Sequence, residues 1–248
     1  MAKRVTQATN SAVDVSERNG VGAVISGKNL TLNSVAHLLE SKAQIELDPK
    51  ALEAVKRSRA IVETRATGEK ALYGINTGFG VLAHERIPAK DLRRLQQNLI
   101  LSHAVGAGDE VPAEIVALML LLKANGLAVG LSGVRRVIID YLIRFYNEGI
   151  YPIVYTKGSL GASGDLAPLA HLTLPLIGMG EVYRGQVRMP AGQVLKELGL
   201  TPLQLEAKEG LALINGTQLI RTAIWAIPPM QSIGGMKRGI STVRNHPR

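Results

Sequence analysis

The sequence predicts a mainly α-helical domain with a small mixed α/β region towards its N-terminal end and irregular loops that carry the chemistry. Three observations lead there. Apolar residues recur at helical spacing through most of the chain between residues 48 and 226. Apolar side chains make up 46% of 248 residues, enough to bury a sizeable core. Two loops containing glycine, near residues 73–80 and 159–164, interrupt the helical pattern.

In chain order, residues 21–32 read as a short hairpin around Ser26-Gly27-Lys28-Asn29. Asp48-Pro49 is a helix start, because proline is tolerated in a first turn and aspartate caps it. The helix beginning there is expected to put Leu52, Val55, Ile61 and Val62 roughly on one face and to leave Lys56, Arg57 and Arg59 largely solvated. Further helices are expected near 89–102, 112–128, 134–147, 166–177 and 210–226, with 187–199 a peripheral segment leading into another short helix. Helices this apolar need partners, which favours helix-on-helix packing. No repeat of 20 to 50 residues is present.

Composition narrows the function classes. The chain has no cysteine, which excludes disulfide staples and thiolate zinc sites and fits a reducing compartment, so a cytoplasmic location is expected. His37, His84, His103, His171 and His246 never fall within one or two helical turns of each other, leaving no local metal motif. Polar residues come after Met1-Ala2-Lys3-Arg4 where a secretory apolar region would begin. The longest apolar stretches, 115–122 and 166–177, fall short of the roughly 20 residues a bilayer requires and read as core helices.

Four segments stand out chemically. Residues 159–171 run Ser-Leu-Gly-Ala-Ser-Gly-Asp-Leu-Ala-Pro-Leu-Ala-His; taken alone, this is a glycine-bearing loop capped by Asp165 before an apolar helix. Tyr73-Gly74-Ile75-Asn76-Thr77-Gly78-Phe79-Gly80 is a glycine loop. It lacks the Gly-Lys-Ser or Gly-Lys-Thr of a phosphate cradle. Ser102-His103 ends an amphipathic segment, where a histidine ordinarily caps or packs. Leu213-Ile214-Asn215-Gly216-Thr217-Gln218 reads as a helix-terminal turn or a glycosylation acceptor.

Together and in this order, the four segments resemble those of the histidine and aromatic amino acid ammonia-lyases, and the resemblance covers about residues 20–218. It implies the N-terminal part of the aspartase/fumarase-like helical lyase fold. It also implies that Ala162-Ser163-Gly164 cyclises autocatalytically into a methylidene-imidazolone, with no external cofactor and no metal. In that ring closure the Gly164 nitrogen attacks the Ala162 carbonyl, two waters leave, and Ser163 loses its hydroxyl to become the exocyclic methylene. Tyr73 is implied as the catalytic base, which requires donors or positive charge aimed at its phenolate. Ser102-His103 resembles the histidine-specific branch, so His103 is implied to contact the substrate imidazole. Asn215 is implied to orient the substrate carboxylate or to hydrogen-bond the imidazolone carbonyl. The expected reaction removes ammonia from L-histidine to give trans-urocanate, in a homotetramer. The alternatives are a tyrosine or phenylalanine ammonia-lyase relative, or a non-catalytic basic binding fragment.

Family members are roughly twice this length, so the chain is expected to be their truncated N-terminal half, without the residues that finish the pocket. Its division is expected as 1–110, a mixed α/β region with the Tyr73 loop; 111–227, the start of the helical core with the prosthetic-group loop; and 228–248, a basic tail foreign to the family. From residue 219 on there are five basic residues and no acid, and without them the net charge falls from +9 to +4. Truncation or a shifted reading frame accounts for that tail better than an arm that binds phosphates, because it begins inside a family helix.

Overall fold

The structure, a computed structural model, describes residues 21–159 and 164–225. Strand β1 (Val21–Ile25) does not turn back into a hairpin. It leads through helix α1 (Leu32–Ser41) to β2 (Gln44–Leu47), and the two strands pair in parallel, Ala23 opposite Ile45 and Ile25 opposite Leu47. The expected turn does exist, since Asn29 accepts from the Ser26 amide at 2.9 Å. The chain leaves that turn as a helix because Thr31 and Ser34 form a reciprocal capping box.

Helix α2 (Pro49–Ala66) starts at the Asp48 cap, whose side chain accepts from the Lys50 amide. Its face differs from the expected one. Ala51, Val55, Arg59 and Val62 are buried, whereas Ile61 is 62% exposed and Leu52 half-buried. The buried set has a spacing of four, four and three residues, a single stripe at the helical repeat, and Ile61 falls on the opposite side. Arg59 is tolerated in the stripe because its guanidinium donates to the Ala207 and Gly133 carbonyls at 3.0 and 3.2 Å and to Glu63 at 2.8 Å.

A 3-10 turn at Ala89–Asp91 opens helix α3 (Leu92–His103). Strand β3 (Ala107–Glu110) comes next, then helices α4 (Ala113–Ala128) and α5 (Arg136–Asn147). Helix α4 is apolar almost all round and sits at the centre, with Leu118, Met119, Leu120 and Leu121 sealed and with α1, α2, α5 and strand β4 (Ile150–Pro152) packed around it. Helix α5 is amphipathic and presents Ile138, Ile139, Leu142 and Phe145 to the core.

Strand β5 (Tyr155–Lys157) pairs antiparallel with β3. Helix α6 (Leu166–Thr173) passes into a 3-10 turn at Leu174–Ile177, where Pro175 stops the α-helical ladder. Strands β6 (Glu181–Arg184) and β7 (Val187–Pro190) extend β4 into an antiparallel sheet ordered β4-β6-β7, which leads into the short helix α7 (Ala191–Glu197). The single helix expected near 210–226 is instead two, α8 (Glu209–Ile214) and α9 (Gln218–Trp225), broken at Asn215-Gly216-Thr217. The main apolar core draws on residues from Ala23 to Ile214, and a smaller cluster gathers Val62, Leu92 and Ala207. No helix among the described residues is long and apolar enough to cross a membrane.

Candidate active site

The break between α8 and α9 faces Gly164 and Asp165, where the chain runs into α6. Gly164 has φ +109°, a region that side chains rarely enter, and a Cβ there would collide with the Gly216 carbonyl oxygen. Glycine is the residue this junction admits. The next amide, Asp165, donates to that same Gly216 carbonyl at 2.7 Å, and the Asp165 carboxylate accepts from the Ile220 amide at 3.1 Å. Asp165 therefore stands at the start of α6 without capping it, contrary to expectation. Its side chain is turned to the first turn of α9 instead, where a carboxylate is favourable at the N-terminus of a helix. Ala162 and Ser163 lie outside the described residues.

Asn215 ends α8, and its backbone carbonyl accepts from the Lys123 ammonium at 2.8 Å. Its carboxamide makes no hydrogen bond among the described residues, and the residue is exposed. Lys123 is 3% exposed on α4. Burial pushes its pKa down to about 7, against the opposing pull of Asp165. Buried polar atoms without a hydrogen-bond partner among the described residues include Ser159 Oγ, Asp165 Oδ1 and Gln218 Oε1. Ser159 and Asp165 flank residues 160–164, and Gln218 opens the helix just past Asn215, so polar capacity is gathered at the two ends of that segment. The glycine-only contact at Gly164 and the Ser159 hydroxyl, the one possible donor among these three atoms, fit a compact heterocycle whose ring atoms only accept.

The Tyr73 loop rests on α8 as well. Gly74, with φ +73°, lets the backbone lie directly on the Leu211 side chain. Asn76, fully buried, ties the loop by accepting from the Leu72 amide at 2.7 Å and donating to the Lys70 carbonyl at 3.1 Å. Tyr73 itself is 59% exposed, its ring edge-on to Phe79 with centroids 5.8 Å apart. The backbone is thus fixed while the phenol stands free.

His103 is half-buried at the end of α3, with Nδ1 2.9 Å from the Leu99 carbonyl. A carbonyl only accepts, so Nδ1 carries the proton and Nε2 is left as an acceptor. Three residues on, the Gly106 amide donates to His171 Nε2 at 2.9 Å, which joins the exit of α3 to α6. His171 also packs edge-on to Tyr155. Burial holds its pKa below the usual histidine value. Among the described residues, no hydrogen bond joins the Tyr73 or His103 side chain to Gly164 or Asn215; the elements that carry them meet through α8, on which α3, α6 and the Tyr73 loop all pack.

A buried ion cluster holds α8 itself. Glu209, fully buried in its first turn, accepts from the Arg135 guanidinium at 2.7 and 2.8 Å and from the Arg135 and Glu206 amides. The bond to Glu209 raises the Arg135 pKa further. No group of three or more acidic or histidine side chains that could hold a metal occurs among the described residues.

Sequence reasoning misses Lys123 and Glu209. A usable signal exists for the first: a lone lysine inside a helix apolar on every side has no solvent to face and must find a partner indoors. Glu209 carries none, because Glu206-Ala207-Lys208-Glu209 looks like an ordinary charged turn.

The chain matches the aromatic amino acid lyase family over residues 30–227, and it belongs to that family. It is 50% identical over 210 residues to histidine ammonia-lyase of Geobacillus thermodenitrificans, a match covering 84% of this chain and 41% of that protein. The structure of histidine ammonia-lyase from Trypanosoma cruzi superposes with a TM-score of 0.73 at 37% identity, over 80% of this chain and 38% of the other. Tyrosine aminomutase from Streptomyces globisporus superposes with a TM-score of 0.75 at 36% identity, over 80% of this chain and 37% of the other. The fold is thus the helical lyase fold. The chain spans about two fifths of the length of the curated relatives it matches.

Proposed function

We propose that this chain is the part of a histidine ammonia-lyase that carries the prosthetic-group loop, serving the non-oxidative elimination of ammonia from L-histidine to trans-urocanate. The observation that carries the proposal is the Gly164–Gly216 contact, which brings the end of Ala162-Ser163-Gly164 against the Asn215 turn at a position only glycine can occupy. Ala162, Ser163 and Gly164 would hold the methylidene-imidazolone in covalent form, where it supplies an electrophile for the amine or ring of the substrate.

The other residues have separable tasks. Tyr73, projecting from a fixed backbone, removes the β-proton, a kind of step that contributes on the order of 10² to 10⁴ in rate. His103 Nε2 accepts from the imidazole N–H of the substrate. Asn215 turns its unengaged carboxamide to the substrate carboxylate while its carbonyl stays with Lys123. The homotetramer of the family is the expected assembly, acting on a small molecule in the cytoplasm.

The specificity side of the proposal rests on His103. A phenylalanine ring has nothing to donate to a ring-nitrogen acceptor, whereas the imidazole N–H of histidine and the phenol of tyrosine do, so His103 argues against phenylalanine. The similarity to tyrosine aminomutase keeps an aromatic substrate as the competing reading, and a panel of the three amino acids offered to a full-length relative decides between them.

The direct test is the intact mass of the purified chain with a digest across residues 159–171. Loss of two waters on the peptide holding Ala162-Ser163-Gly164 is expected, and Ser163→Ala should abolish it with helicity unchanged. An unmodified wild-type peptide would overturn the prosthetic-group assignment.

A further inference from the structure

We infer that Lys123 is a positioning residue: from the central helix α4 it clamps the Asn215–Gly216 turn so that Gly164 and Asp165 stay seated against it. This deepens the proposed function and rests on it. The Lys123 ammonium donates to the Asn215 carbonyl at 2.8 Å, the next carbonyl, Gly216, accepts from the Asp165 amide at 2.7 Å, and the Asp165 carboxylate accepts from the Ile220 amide at 3.1 Å. Lys123, the turn, Asp165 and α9 are thus joined in series, each link through a named atom.

Placement explains why a lysine is needed. Asn215 and Gly216 lie between two helices, so the Asn215 carbonyl belongs to a helix end and has no ladder partner ahead of it. A carbonyl turned inward without a donor is costly, and here the donor comes from 92 residues away. The interaction leaves the Asn215 carboxamide unengaged while fixing the backbone that carries it. Burying an amine at the centre of an apolar helix costs stability, and Asp165 offsets part of that cost by its charge. A methionine would fill the same space without that desolvation cost but would leave the Asn215 carbonyl without a donor, so what the amine contributes is its hold on that carbonyl.

The test compares wild type with Lys123→Met and Lys123→Arg by site-resolved hydrogen exchange and by the digest across residues 159–171. In Lys123→Met, protection of the Asp165 and Ile220 amides is expected to fall about tenfold or more while Leu142 in α5 keeps its protection. The fraction of peptide lacking two waters should fall with it, and Lys123→Arg should restore both. Unchanged protection at Asp165 and Ile220 in Lys123→Met overturns the inference, as does an arginine variant no better than methionine while Leu142 remains protected. If Lys123→Met loses Leu142 protection too, the arginine variant decides: retained Asp165 and Ile220 protection supports the clamp, and its loss overturns it. A wild-type peptide of full mass removes the prosthetic-group reading instead, and the exchange comparison still decides the role of Lys123.

Discussion

His171 illustrates how one side chain couples the site to pH. Its Nε2 accepts from the Gly106 amide, and an imidazolium has no lone pair to offer. Burial favours the neutral ring, so the folded state binds its proton less readily than the unfolded chain, whose value stays near 6.5. The stability this provides is fully present above that value and is lost as pH falls through the folded value. Thermal unfolding measured between about pH 7.5 and 5 should show a midpoint that declines on acidification. His171→Gln, which can still present an acceptor, should flatten that part of the decline; an unaltered slope would mean that other groups cause it.

At the scale of elements, the short helix α8 organises the site, since the Tyr73 loop, α3 and α6 all rest on it and Asn215 ends it. Six residues cannot hold a helix by propensity alone. Glu209 supplies the anchor, and Glu209→Ala would remove the acceptor of the Arg135 and Glu206 amides and the nearest counter-charge of Arg135, while Arg59 keeps Glu63. A loss of about 2 kcal/mol is expected in urea unfolding, because two amides lose their acceptor, whereas Arg135, a third exposed, is partly screened by solvent. Glu209→Gln should recover part of it by preserving hydrogen bonds. A change under about 0.5 kcal/mol would show the cluster to be dispensable.

Legibility in the sequence also differs element by element. Helices α3, α4 and α5 emerge from their apolar spacing, and the segments proposed as catalytic stand out by their residue types. The parallel pairing of β1 with β2 is hidden because a genuine Ser26-Gly27-Lys28-Asn29 turn precedes a helix whose capping box looks like ordinary polar sequence. On α2, hydropathy alone places Ile61 in the core and Arg59 in solvent, whereas the stripe that Ala51, Val55 and Val62 define does the reverse. The Asn215-Gly216-Thr217 turn is a local signal for the split between α8 and α9, whereas its contacts with Gly164 and Lys123, both remote in sequence, have none. For the site, motif identity reaches Tyr73, His103, Asn215 and Gly164, whereas the polar contacts that hold the turn arise only on folding.

For the molecule as a whole, the apolar side chains left outside the core are informative. Val81 is 96% exposed, Leu131 83% and Val105 66%, and Leu82 and Tyr73 are also more than half exposed. Single exposed apolar residues are common, but Tyr73, Val81 and Leu82 belong to one loop segment beside the candidate site. Concentration-dependent association is therefore expected in light scattering. Val81→Ser together with Leu131→Ser should reduce it without lowering the unfolding midpoint, and equal scattering would place the sticky surface elsewhere.

The clasp between Lys123 and Asn215 spans 92 residues, and that between Asp165 and Ile220 spans 55. A ribosome emits this polypeptide from one end, so Ala162-Ser163-Gly164 leaves the exit tunnel well before the turn against which Gly164 is seated. If that tripeptide cyclises as proposed, its maturation would wait for the arrival of residues 215–220, and a nascent chain stalled short of them would carry an ordinary, unreacted tripeptide.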